Sequence, residues 1–374
     1  MKKIVILLII VAVIVALVFG YRFYLNNLSG AGPAIMAPQR NIADLIQNQK
    51  PGENNTEFPL KIANGFTISI FTKGLGTPRD LEFDPNGILL VSIPGQGKVV
   101  ALPSGNPTTV VSGLREPHGI AFAGGKIYIA ETNAVAVYDY YTKNYKATNR
   151  KKIIDLPSGA GHSTRSILIK DNKIYVSTGS SCNVCIEKDS RRGAIWTANL
   201  DGSDFKVFAA GLRNSVFLTL NPQTKEIWAT DMGRDLLGDD VPPDEVNIIK
   251  EGHYGWPYCY DSRIPDRETN PNNSKFDCNK TILPTYKLQA HSAPLGLAFL
   301  NGDLLVSFHG SWNRTVPTGY KVVRFVNNKQ EDFITGWLEG GKALGRPVDI
   351  IVAKNGSLYI SDDKAGVVYL VSRR

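Results

Sequence analysis

Short runs in which apolar and polar residues alternate, joined in pairs by tight turns, recur from residue 77 to the end of this chain. They read TPRDLEFDPNGILLVS from Thr77, EPHGIAFAGGKIYIAE from Glu116, TRSILIKDNKIYVSTG from Thr164, RNSVFLTLNPQTKEIWATD from Arg213, APLGLAFLNGDLLVSF from Ala293 and RPVDIIVAKNGSLYISD from Arg346. Period-two alternation predicts half-buried strands, and the Gly and Asn residues between each pair predict hairpin turns. Further strands follow each hairpin, as in GKVVAL, AVAVYDY, AIWTANL and GYKVVRF. About six copies at a spacing of roughly 40 to 50 residues are the signature of propeller blades. A lone four-stranded sheet leaves both faces unprotected, so such units must stack around an axis, with their inner strands converging on one mouth. Apart from a short IADLIQNQ segment from Ile42, no long amphipathic helix is predicted.

The N-terminus follows a different rule. Lys2 and Lys3 precede an unbroken apolar run from Ile4 to Gly20, the pattern of a signal peptide or of a retained anchor. Tyr21, Arg22 and Tyr24 suit the membrane interface and favour retention. The expected organisation is a signal anchor or signal peptide over 1–24, a flexible linker over 25–60 and one propeller over 61–374. With 43% hydrophobic residues, the chain has enough apolar material for a single large core.

Four cysteines fit an extracytoplasmic address. Three pairings are formally possible, and Cys182 with Cys185 and Cys259 with Cys278 are favoured because each closes a local loop. Zinc is the alternative for Cys182 and Cys185, but the other pair lacks that spacing and no histidine stands in register. The net charge of +8 is spread over the repeats, which together with export argues against nucleic acid as a partner. A locally positive mouth for a polyanionic ligand stays open.

All five histidines, His118, His162, His253, His291 and His309, lie in or beside the segments that open or close the repeats. His162 is the foremost candidate for proton transfer, being set after Gly-x-Gly, with Arg165 close behind it.

The combination GHSTRS, RRGAIWTANLDGSD, GLRN, PDEVNIIKEGHYGWP, GRPVD and SDDKAG resembles the soluble quinoprotein sugar dehydrogenases, the glucose/sorbosone dehydrogenase family. SSCNVC, GWPYCY and HGSWNR are more similar to the sorbosone-dehydrogenase-like branch. The resemblance implies an all-β, six-bladed propeller that binds pyrroloquinoline quinone (PQQ) at its mouth, with calcium beneath it. It implies His162 as catalytic base with Arg165 beside it, and Arg213, Asn214 and Arg346 as cofactor contacts. His118 falls where the family has a Gln near the quinone, and Asp363 or its neighbour Asp362 near a late pocket acid. The loop from Asp231 to Asp240 corresponds to the cofactor-calcium loop, and Asp244 and Glu245 match acids that hold structural calcium. Some positions depart from the family. Gly161 replaces an Asp, Val216 a pocket Gln and Val348 a second arginine, while Arg314 is the candidate substitute for a lysine near the quinone.

The implied activity is oxidation of an aldose or sugar aldehyde outside the cytoplasmic membrane, with hydride passing to the quinone and electrons then to an unidentified acceptor. Such chemistry needs a neutral imidazole to accept the hydroxyl proton. Arginine forks suit the three cofactor carboxylates, and hard oxygen ligands suit calcium. Trp312 is the candidate sugar-stacking ring, whereas Tyr254, Trp256 and Pro257 are expected to pack between blades. Because a propeller alone fixes no reaction, a quinone-free binding or scaffold module and a calcium-dependent, lactonase-like hydrolase remain as alternatives.

Overall fold

The structure is a computed structural model and describes residues 2–35 and 54–374. Each repeat folds into an antiparallel four-stranded blade. Blade one runs through Leu81–Phe83, Leu89–Ile93, Lys98–Ala101 and Thr108–Ser112, and blade two through Ile120–Ala123, Lys126–Glu131, Ala134–Tyr141 and Lys146–Asp155. Blade three holds Ile167–Lys170, Lys173–Thr178, Ala194–Asn199 and Lys206–Ala210, and blade four Leu218–Leu220, Ile227–Asp231, Asp244–Ile249 and Tyr286–Leu288. Pro294–Leu300, Asp303–Phe308, Lys321–Val326 and Lys329–Thr335 make blade five. Blade six takes Pro347–Val352, Leu358–Asp362 and Val367–Arg373 from the C-terminus and its fourth strand, Phe66–Lys73, from the N-terminal side. The ring is thereby closed by pairing the two ends of the domain.

Second strands such as Leu89–Ile93 and Ile227–Asp231 are buried along their whole length, because a blade packs against a neighbour on each face. Six apolar clusters result, one per seam. Leu90 and Val99 meet Ile127 and Ile129 between blades one and two, and Tyr128 and Val135 meet Ile174 and Val176 between two and three. Ile195 and Leu212 meet Ile227, Trp228 meets Leu297 and Val306, and Leu305 meets Ile350 and Ile360 in the next three. Val91 and Val368 complete the circle.

A hydroxyl relay ties the inner strands together. Ser177 Oγ donates to Ser215 O, Thr230 Oγ1 to Leu295 O, Ser307 Oγ to Val348 O and Ser361 Oγ to Arg79 O, in each case from a second strand to the next blade. These are the Ser or Thr of the VST, ATD, VSF and ISD triplets in the repeats. Blade two has Ala130 there instead, and Gly119 N bonds Arg165 O at 2.9 Å. Carboxylates add to this, with Asp80 Oδ2 accepting from Ile120 N across the seam of blades one and two, and Asp349 Oδ2 from Leu81 N across the seam of blades six and one that Ser361 also ties.

Helix α1 (Lys2–Asn27) contains a segment, Leu8–Asn27, long and apolar enough to cross a membrane. Its end meets the domain at Thr315, whose Oγ1 donates to Leu25 O. Strand pairing begins at Asn54–Asn55, inside the 25–60 stretch expected to be linker, and continues at Lys61–Ile62, the expected start of the propeller. The helix expected from Ile42 lies outside the described residues. Both disulfides, Cys182–Cys185 and Cys259–Cys278, join the favoured pairs, which removes the sulfurs as zinc ligands.

Candidate active site at the propeller mouth

The loops that carry His162, Arg213, Arg346 and Asp363 lead into or out of inner strands, so the closed ring brings them to one end of the axis. His162 is partly buried, and its Nδ1 lies 2.9 Å from Ser180 Oγ and 3.1 Å from Ser180 O. Ser180 Oγ already donates its hydrogen to Cys182 O at 2.7 Å. Both groups facing Nδ1 are therefore acceptors, which puts the ring proton on Nδ1 and leaves the lone pair on Nε2. Burial and the Arg213 guanidinium push this imidazole down to about 4, so it is neutral at physiological pH. Gly179 makes the approach possible, since a Cβ there would lie 2.5 Å from His162 Cβ and 2.6 Å from Asn214 Oδ1. Base and Asn214 converge over that glycine.

The same logic applies to His118, which is 2% exposed. Its Nδ1 faces Ser166 Oγ at 3.2 Å, and that hydroxyl gives its hydrogen to Val216 O. His118 Nε2 is consequently a buried acceptor without a partner. Burial and Arg79 hold the ring well below the usual histidine range. It lines a cavity of about 220 Å³ together with Arg79, Glu116 and Thr164.

Cations surround this mouth. Arg213 donates from Nε to Asn183 O, from Nη1 to Gly233 O and from Nη2 to Asn183 Oδ1 and Asp235 Oδ2. Of the five guanidinium hydrogens, one on Nη1 is left over. Among the described residues Arg346 donates from Nε to His309 O and from Nη2 to Gly310 O. Asp363 accepts from Arg79 Nη1 at 2.6 Å and His309 Nε2 at 2.8 Å. Burial alone would raise that carboxyl, but His309, Arg79 and Arg346 hold it well below the usual carboxylate range.

Asp244 and Glu245 do not share a site. Successive residues of a strand face opposite sides. Asp244 accepts from Gly233 N, Ala293 N and Ser292 Oγ, fastening the loop after Asp231 to blade five. Glu245 pairs across the ladder with Asp231 and lines a small cavity of about 30 Å³ with Tyr254, Trp256 and Tyr260. Burial and the nearby Asp231 push its carboxyl up to about 8. Among the described residues it accepts from Asn247 Nδ2 at 3.0 Å, and the fully buried Asn247 Oδ1 has no partner there. The Glu245 carboxylate at this cavity, which Asp231, Asp266, Arg213 and Arg234 also line, and the orphaned amide oxygen on the adjoining Asn247 side chain are hard-oxygen donors of the kind calcium takes.

Over residues 60–336 the sequence matches the TrAA12-like family. The chain belongs to that family. An uncharacterized protein of Borreliella burgdorferi is 32% identical over 352 residues, covering 83% of this chain and 90% of that protein. A pyrroloquinoline quinone-dependent pyranose dehydrogenase of Coprinopsis cinerea is 26% identical over 413 residues, covering 86% of this chain. The chain spans 56% of that enzyme's length. Among solved structures, the holo form of the pyranose dehydrogenase PQQ domain from Coprinopsis cinerea has a TM-score of 0.74 at 24% identity, covering 86% of this chain and 99% of that one. The calcium structure of a Trichoderma reesei AA12 enzyme gives 0.73 at 24%, covering 85% and 98%. These two show a shared fold. The sorbosone branch is not singled out by any of these relatives.

Three residues expected from the sequence to serve the site take other places in the structure. Arg165, 1% exposed, donates to His162 O, Thr164 O and Pro157 O, so its guanidinium braces the base loop instead of reaching the mouth. Arg314 is bound to Asp239 O, Ala290 O and Asp240 Oδ1, because the loop after Asp231 folds onto it. Asp244 fastens that same loop. Val216 and Val348 sit in the core between blades four and five, which accounts for their apolar character. Gly161 has φ +90°, and a Cβ there would lie 2.4 Å from Ser181 Cα, so no aspartate fits. Arg79, Ser180, Asn183 and Asn247 were not singled out from the sequence. Only Arg79 carried a signal, since it precedes blade one as His118 precedes blade two.

Proposed function

We propose that this protein oxidises a hydroxyl of an aldose or related pyranose sugar, with PQQ as hydride acceptor and calcium as the accompanying cation. The observation that carries the reading is the bare Nε2 of His162, fixed in its tautomer by two acceptors on the opposite nitrogen. As the carbinol C–H bond breaks to release hydride, the hydroxyl proton moves to His162 Nε2 and the carbon–oxygen bond becomes a carbonyl. When bound, the quinone would supply a two-electron acceptor, and calcium would increase its electrophilicity.

The residues present fit a flat, polyanionic cofactor. Arg79, Arg213 and Arg346 each keep N–H groups that no described residue uses, and such groups grip carboxylates well. The unpartnered Nε2 of His118 is a buried polar atom that a ligand would satisfy. Glu245 and Asn247 would hold calcium. Trp312, 41% exposed beside Arg314, offers an apolar face for a pyranose ring. The Coprinopsis cinerea relative is named for pyranose oxidation, which supports the substrate class. We place the propeller outside the cytoplasmic membrane, tethered by α1, since disulfides persist in such compartments.

The test is reconstitution of the purified full-length protein with PQQ and calcium, followed by addition of aldoses. The expected result is saturable binding and a change in quinone absorbance on aldose addition. Binding without reduction would favour a quinone-binding scaffold over an enzyme, and no binding would remove the cofactor.

A further inference from the structure

The segment Ser180–Glu187, closed into a small ring by Cys182–Cys185, touches both halves of the candidate machinery. On one side it supplies Ser180, whose carbonyl and hydroxyl both face His162 Nδ1, and Cys182 O, which takes the hydroxyl's hydrogen. On the other side Asn183 accepts from Arg213 twice, through its carbonyl at 2.9 Å and its Oδ1 at 3.0 Å. Asn183 O also accepts from Trp256 Nε1, Asn183 Oδ1 from Asp235 N, and Asn183 Nδ2 donates to Asp235 O. One residue thus joins the disulfide ring, the loop after Asp231 and the GHYGWP segment. Gly161, just before the base, is the space into which Ser180 and Ser181 fit.

We infer that the Cys182–Cys185 loop is the positioning device of this site, with Ser180 and Cys182 O setting the protonated nitrogen of His162 and Asn183 setting the plane of the Arg213 guanidinium. The inference rests on the reading of His162 as base and Arg213 as cofactor arginine. Backbone carbonyls act here as ligands, and their direction depends on the local backbone path. An open tetrapeptide samples many such paths, whereas a ring closed by a covalent bond keeps few. Both cysteines are only half-buried, so the bond is not needed to fill a core. If the carbonyl of Cys182 turned away, the Ser180 hydroxyl would be free to donate to His162 Nδ1, and the ring proton would move to Nε2. His162 would then present a donor to the substrate hydroxyl and could not accept its proton.

The test uses the full-length protein, labelled with ¹⁵N in histidine and arginine, without cofactor. In the wild type, NMR should show His162 as a single tautomer protonated on Nδ1 and a slowly exchanging Arg213 Nε–H. In Cys182→Ser/Cys185→Ser, His162 should become a mixture of tautomers and Arg213 Nε–H exchange should quicken at least tenfold. Signals of His309 and Arg324, held by Asp363 and Glu331, serve as references and should stay in place. PQQ titration of the same variant should show at least a tenfold weaker Kd. Unchanged tautomer and exchange in the double variant, with the reference signals in place, would overturn the inference. Should that variant not fold, Asn183→Ala keeps the disulfide and the carbonyl at Arg213 Nε but removes the Oδ1 that accepts from Nη2, and should quicken Arg213 Nη2–H exchange while leaving His162 on Nδ1. No effect on Arg213 would again contradict the inference. A wild type that fails to bind PQQ would sink the proposed function, yet the cofactor-free signals would still decide the role of the loop.

Discussion

Arg79 Nη1 lies 2.6 Å from Asp363 Oδ2, joining the start of blade one to the turn after the second strand of blade six, with His309 Nε2 on the other carboxylate oxygen at 2.8 Å. Both side chains are largely shielded from water. Removing one partner of such a pair strands the other charge. Arg79→Ala should therefore lower stability by about 2–4 kcal/mol in urea unfolding. The sign with pH follows from the depressed carboxyl of Asp363. Its contribution is present above the unfolded carboxylate range and is lost only as pH falls through the lower folded value. The difference between wild type and variant should persist at pH 5 and shrink in stronger acid. An unaltered unfolding midpoint in Arg79→Ala would show that the pair adds nothing.

His162 is pushed down to about 4 by burial and Arg213. The acid limb of kcat/KM should accordingly fall well below the 6.5 of a free imidazole, toward pH 4. His162→Ala should lose about 10²–10⁴-fold in kcat while keeping its affinity for PQQ. An acid limb near 6.5 in the wild type would indicate that another group is the base.

Arg213 and Arg346 reach the mouth with N–H groups to spare. Replacing either by Ala should weaken PQQ binding by about 1.5–3 kcal/mol, the range for hydrogen bonds to charged groups. Arg213→Ala should also lower thermal stability, because that guanidinium joins Asn183, Gly233 and Asp235. Arg346→Ala should cost less, having two carbonyl contacts to lose. Equal PQQ titration curves for wild type and both variants would place the cofactor elsewhere.

Chelation should lower the melting temperature of the full-length protein, and calcium should restore it better than magnesium, which demands a tighter octahedral shell. Glu245→Gln should abolish that response, whereas Asp244→Asn should destabilise the protein with or without calcium, because its carboxylate holds amides of two loops. A chelated protein, metal-free by elemental analysis, with an unchanged melting temperature would remove the Glu245 and Asn247 assignment.

The blades were legible because each hairpin repeats one pattern of alternation, and the second-strand Ser or Thr residues that tie neighbouring blades recur within it. Closure of blade six by Phe66–Lys73 was not, since pairing between distant chain ends leaves no local mark. His162 stood out through its glycine-flanked loop. Its orienting partners did not, because Ser180 O and Cys182 O are backbone oxygens that any residue carries, and the Ser180 hydroxyl is brought to the ring only by folding. Arg165 and Arg314 look like site residues because charge is visible in a sequence, while the carbonyls that accept their N–H groups come into place only on folding. Asp244 and Glu245 were joined by adjacency, which the alternation of a strand undoes.

The most direct test of the account is a single turnover. Protein reconstituted with PQQ and calcium is mixed in a stopped-flow instrument with an aldose and with the same sugar deuterated at its anomeric carbon, while quinone absorbance is followed. The account predicts reduction of the quinone with a primary isotope effect in the wild type, and reduction slowed about 10²-fold or more in His162→Ala with the cofactor still bound. Reduction at the same rate in both proteins, or a wild type that binds PQQ and leaves every sugar untouched, would contradict it.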